Sequence, residues 1–234
     1  MAAKRKTAAP ARKRRSGLGW VPDLPDQRDT LYGMVRAVPP HLPSSVDLRP
    51  LCSPVENQGN LGSCTGNSLA GAVEFLELKD KVHFVDVSRL FIYYNERVIE
   101  HSVKEDAGAQ IRDGIKTLVK QGVCSETTWP YVVSKFAVKP SAACYKEALK
   151  HQVTSYARIQ TLDEMRTCLA EGIRSCSDSR CTRASSRRRW HGPASYRCRS
   201  PASARWAVTP CSASATTTPR SVSPYAIPGG RIGA

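Results

Sequence analysis

Residues Val55–Leu76 read VENQGNLGSCTGNSLAGAVEFL, a glycine-rich loop that turns into an amphipathic stretch at Cys64. Leu69, Val73 and Leu76 recur at the spacing of one helical face, which predicts a helix opening at Cys64. The first turn of a helix presents N–H groups without intrahelical partners and a partial positive charge. A thiol placed there is biased toward thiolate, which makes Cys64 a candidate nucleophile. Gln58 stands earlier in the same loop, and its amide can donate hydrogen bonds to a developing oxyanion. A lone cysteine is more often a small buried residue than a nucleophile. The surrounding loop is what favours the second reading here.

Working outward, the flanks carry further pattern. Upstream stand GLGWVPDLPDQRD from Gly17 and LPSSVDLRP from Leu42; downstream come SRLFIYYNER from Ser88 and DAGAQIRDGIKTLVKQGVCSETTWPY from Asp106. Together with Gln58, Gly62-Ser63 and Cys64, these stretches resemble the papain-like cysteine peptidases, in particular a bacterial branch of that family. The resemblance runs from about Gly17 to Gly172. One departure is Thr65, where many members have a tryptophan after the nucleophile.

The resemblance implies an α+β, papain-like fold of two domains. A helical N-terminal domain carries Cys64, and a β-rich C-terminal domain supplies a histidine and an asparagine across a cleft. It also implies peptide-bond hydrolysis through an acyl-thioenzyme, with Cys64 as nucleophile and Gln58 in the oxyanion hole. Gly62, Ser63 and Gly108 fall where such a family binds peptide or protein substrate. No metal and no cofactor is called for.

Between residues 46 and 172 the chain reads as a mostly helical domain. Ser88 is placed to cap a second helix carrying Leu90, Phe91, Tyr94 and Val98. A third runs from about Ala109, with Ile111, Ile115, Leu118 and Val119 inward and Gly122 as its stop. Trp129-Pro130-Tyr131 marks a turn, and Pro140–Lys150 a short helix. Val153–Ile159 alternates like a strand, and Thr161 with Glu164 has capping-box spacing for a helix ending at Gly172.

Charge divides the chain more sharply than its net +15 suggests. Residues 1–15 hold seven Lys or Arg and no acid, whereas residues 16–172 hold 17 basic against 19 acidic side chains. The central part therefore has no bulk basic footprint, which disfavours nucleic acid as a partner except through the ends. Residues 1–16 read as a basic disordered tail, and 17–45 as a lead-in of propeptide-like character. No run of about 18 apolar residues suggests a membrane span, and the basic start lacks the apolar stretch of a secretory signal. A cytoplasmic setting with reduced thiols is the resulting expectation. The nine cysteines show no metal-ligand spacing, and Cys52, Cys124 and Cys144 leave a bridge open without fixing a pairing. The oligomeric state is not legible.

From residue 173 to 234 the composition changes: twelve Ser and eleven Arg, but no Leu, Phe, Lys or Glu. Such a segment buries too little apolar surface to offset its ordering entropy, and the expectation is a disordered Arg/Ser-rich tail in place of the β-rich domain. Reading its codons one frame over permits family-like strings. Arg174–Thr182 allows FVFGFAVY, Trp206–Thr218 allows GGHAVLGVGYDDA, and Tyr225–Ala234 allows RNSWGADWG. The second and third resemble the family's histidine and asparagine motifs, at the Val208/Thr209 and Ala226/Ile227 junctions. This points to a shifted frame, and it leaves the general-base histidine and the orienting asparagine absent from the chain. His41, His83, His101, His151 and His191 all read as surface or packing residues.

Overall fold

A computed structural model describes residues 19–177 and, for the backbone alone, residues 205–210. The expected basic tail over residues 1–16, most of the Arg/Ser-rich segment, His191 and the Ala226/Ile227 junction lie outside the described residues.

Helix α1 is a short turn, Tyr32–Val35, within the lead-in. Helix α2, Cys64–Lys79, begins where the sequence places it. Its core face carries Leu69, Val73 and Leu76, each at most 5% exposed. Helix α3, Arg89–Ile99, follows Ser88, whose hydroxyl accepts the Phe91 N–H at 3.2 Å. Helix α4, Ile111–Lys120, buries Ile111, Ile115 and Leu118. It stops at Gly122, whose φ of +75° is left-handed backbone that a side chain disfavours. After α5, Ala142–Ala148, comes strand β1, Val153–Ile159. Helix α6, Leu162–Ala170, opens on a complete capping box between Thr161 and Glu164.

The core forms where α2, α3 and α4 meet. Leu69, Phe75, Phe91, Ile92, Ile115 and Leu118 are its centre, and Cys124, Cys144, Ala148 and Val153 extend it toward α5 and β1. Gly66 lets α2 and α3 approach closely: a Cβ there would sit 2.8 Å from the Arg89 carbonyl oxygen. Val98 is 41% exposed. It stands on the same helical face as Phe91 and Tyr94, but there the stripe meets an open groove lined by Tyr94, Gln121 and Tyr145.

Two short strands are described after residue 172. Strands β2, Ser175–Ser177, and β3, Arg205–Pro210, join β1 in an antiparallel sheet of order β1-β3-β2. Tyr156 pairs with Val208, Ser155 with Thr209 and Cys176 with Trp206. The rest of the segment expected as a disordered tail lies outside the described residues. Ladder hydrogen bonds are made by the backbone, which every residue carries, so a short strand needs little from its side-chain pattern. The sheet edge lies along α2, where Arg174 donates to the Gly71 carbonyl at 2.7 Å and the Cys176 thiol to that of Ser68 at 3.6 Å.

The lead-in is fastened to this body at several points. Buried Asp29 accepts from Arg112 of α4 at 2.6 and 3.0 Å and from Arg158 of β1 at 2.9 Å. Leu31 bridges Arg158, and Tyr32 donates to Glu171 at 2.9 Å.

Candidate active site

Cys64 is the first residue of α2 and half-buried. The other described cysteines differ from it in setting. Cys124, Cys144, Cys168 and Cys176 are buried, and Cys52 is exposed on the loop before the site. Burial pushes the Cys124 and Cys176 thiols upward and holds that of Cys168 near about 12, so these remain protonated and inert. Cys52, Cys124 and Cys144 are all free, so the open question of a bridge among them closes without one.

The loop before Cys64 is held by a relay that starts in α2 itself. The Asn67 amide donates to the Ser63 hydroxyl at 3.1 Å and to the Ser63 carbonyl at 2.8 Å. The Ser63 and Tyr131 hydroxyls lie 2.5 Å apart, and Tyr131 donates to the Gln58 carbonyl at 3.0 Å. Since the Tyr131 proton is directed at Gln58, Ser63 is the donor to Tyr131. Burial pushes the Tyr131 phenol upward, which keeps it a donor. Over its ring, at 4.2 Å, lies the Arg89 guanidinium. Arg89 in turn pairs with Glu56 of the same loop and with Glu126. Tyr131 and Arg89 thus fix both ends of the Gln58–Ser63 segment, yet neither stands out as a site residue in the sequence.

Gln58 points its amide nitrogen at the Leu61 carbonyl, 3.0 Å away. Gly62 is buried, and its N–H lies 3.0 Å from both carboxylate oxygens of Asp106. Asp106 also accepts from Tyr93 at 2.5 Å, which joins the Cys64 loop to the α3–α4 connection.

The expected substrate-binding glycines come together, with the lead-in between them. Gly19 fits so closely that a Cβ on it would lie 1.6 Å from the Gly62 carbonyl oxygen. A Cβ on Gly108, where φ is +73°, would lie 1.7 Å from the Gly19 oxygen. The adjoining backbone pairs: Ala109 N–H donates to Gly19 at 2.7 Å, and Val21 N–H to Ala109 at 2.9 Å.

The described histidines are dispersed. His151 bonds Glu77 at 2.9 Å, near the far end of α2, and Glu77 is 13 residues from Cys64, about 20 Å along a helix. His83 follows that far end, and His41 and His101 are exposed. Among the described residues there is no cluster of three or more His, Cys, Asp or Glu suited to a metal ion. No helix among them is long and apolar enough to cross a membrane.

Known proteins resemble this chain in sequence and fold. The chain is similar to xylellain, a cysteine protease from Xylella fastidiosa, with 41% identity and a TM-score of 0.66 over 73% of this chain and 69% of that one. The chain belongs to the papain-like cysteine peptidases. A peptidase C1-like protein of Acanthamoeba polyphaga mimivirus, itself uncharacterised, is 42% identical over 159 residues, or 60% of this chain. The papain-like chain spans about half, 51%, of that relative's length. No family model matches it.

Proposed function

We propose that the chain carries the nucleophile half of a papain-like active site, built to hydrolyse peptide bonds through an acyl-thioenzyme. Cys64 is the nucleophile, and the Gln58 amide and the Cys64 N–H receive the oxyanion of the tetrahedral intermediate. The single observation that carries this is the accessible thiol at the start of α2, beside a loop fixed by Ser63, Tyr131 and Asp106. Peptide or protein substrate lies along Gly62, Ser63 and Gly108. The lead-in takes a propeptide-like role, with Gly19 occupying the space between Gly62 and Gly108.

The other half of the chemistry needs a histidine to take the thiol proton and return it to the leaving amine, and an asparagine to orient the ring. No residue of this sequence inherits either role, and the chain as written has little or no peptidase activity. The shifted-frame histidine would fall at the Val208/Thr209 junction. Both residues lie on β3, and the backbone of that strand runs beside α2. A strand in that place supports the reading that the segment descends from the domain that faces Cys64.

Two measurements test the proposal. Peptide-mapped alkylation by iodoacetamide at neutral pH is expected to modify Cys64 ahead of Cys52. Equal rates at the two cysteines contradict the nucleophile assignment. Sequencing of gene and transcript is expected to reveal the frame change near codon 173, and an uninterrupted frame in both overturns that part. A non-catalytic peptide-binding module is the second reading, favoured by the dispersed histidines. It predicts slow Cys64 alkylation together with measurable peptide affinity.

A further inference from the structure

Glu96 of α3 is fully buried, one helix away from the start of α2. Its Oε2 accepts from the Thr65 hydroxyl at 2.7 Å, and Thr65 is the residue after Cys64, itself 1% exposed. Its Oε1 has no hydrogen-bond partner. Space for that oxygen exists because α4 carries Gly114: a Cβ there would lie 2.2 Å from Oε1 and 2.3 Å from a Leu69 methyl.

We propose that Glu96 is held as a neutral carboxylic acid and is a positioning residue for Cys64, tying down the first turn of α2 through Thr65 while keeping negative charge away from it. The inference rests on Cys64 being the nucleophile. Against Glu96, α2 sets Thr65 and Leu69, α3 sets Arg97 and Glu100, and α4 sets Gly114 and Asp113.

The neighbouring cation is committed elsewhere. Arg97 donates to the carbonyls of Tyr93, Val103, Glu105 and Phe136, at 3.1, 2.8, 3.1 and 2.5 Å, and stacks on Tyr93. Glu100 and Asp113 add like charge. An ionised carboxylate here would be dry and lack a paired cation, and protonation is the cheaper state. Burial accordingly raises this acid from 4.5 to about 8, against the lowering by Thr65.

The location gives the proton a consequence. A thiolate at Cys64 depends on the positive end of α2, and a carboxylate one hydrogen bond from Thr65 would oppose it. A neutral acid supplies the same anchor without the charge. Deprotonation of Glu96 in alkali therefore works against Cys64 ionisation, although alkali itself favours thiolate.

The test compares the full chain with Glu96→Gln, which has the shape of the protonated acid but no titration. With the folded pKa above the unfolded one, the wild-type chain loses stability as pH rises from about 4.5 to about 8 and no further beyond. The gap between the two proteins in thermal unfolding is expected to widen over that window, by about two orders of magnitude in the folding equilibrium by pH 7, and then level off. Parallel curves overturn the neutral acid. The infrared carbonyl band of a buried carboxylic acid is expected in the wild type at pH 7, and its absence there overturns the proposal without reference to any variant. In peptide-mapped alkylation, Cys64 is expected to react equally in the two proteins below pH 6 and several-fold faster in Glu96→Gln above pH 8. Coincident profiles overturn the positioning role. Slow alkylation of Cys64 in both, with the infrared band present, instead overturns the nucleophile assignment on which the role rests.

Discussion

At the scale of single residues, the site is held by hydrogen bonds that cross long stretches of sequence. Tyr131 reaches Gln58 and Ser63 from 73 and 68 residues away, and Asp106 reaches Gly62 from 44. Replacing Tyr131 by Phe leaves the ring under Arg89 but removes the links to Gln58 and Ser63. The expected loss is about 1–3 kcal/mol, typical of two hydrogen bonds, read by denaturant unfolding. Slower alkylation of Cys64 is expected with it, because the Gln58–Ser63 loop loses these anchors. Asp106→Ala leaves the buried Gly62 N–H without an acceptor and is expected to cost about 1–3 kcal/mol by the same measurement. Cys64 and Gln58 were legible in the sequence because their loop and helix are local. Tyr131, Arg89, Asp106 and Glu96 were not, since helical or strand periodicity reports neighbours three or four residues apart and says nothing of partners across the fold.

Local physics also explains which elements were legible. The helices at Arg89, Ile111 and Leu162 have caps or stops within a few residues of their ends: Ser88, Gly122 and the Thr161–Glu164 box. Ser88→Ala is expected to destabilise by about 0.5–2 kcal/mol, the range for an N-cap, measured by thermal unfolding. Val98 shares a face with Phe91 and Tyr94 yet is exposed, since periodicity identifies a face but not where the opposing surface ends. Strand β3 was missed because its partners are remote, and composition weighs side chains where a ladder is built from backbone. The docking of the lead-in is also tertiary, centred on Asp29 between Arg112 and Arg158. Arg112→Ala breaks a buried pair and is expected to cost about 3–5 kcal/mol. Limited proteolysis is expected to cut first near residues 19–31 in that variant, and cleavage elsewhere first contradicts the lead-in's dependence on this pair.

For the whole molecule, family and function separate. The helical domain, its core and the Cys64 loop form a coherent half of a papain-like peptidase, 41% identical to a bacterial cysteine protease. In the proposed reading the complementary half is lost to a shifted frame after residue 172, where the composition changes to Arg and Ser. Backbone pairing with β1 places residues 175–177 and 205–210 beside α2. The central claim is that a sound nucleophile half lacks its general base. Hydrolysis of a fluorogenic peptide by the chain as written, by the chain with its frame restored after residue 172, and by the restored chain carrying Cys64→Ala tests it most directly. The account predicts turnover in the restored chain alone; Cys64-dependent turnover by the chain as written, or turnover that survives Cys64→Ala, would contradict it.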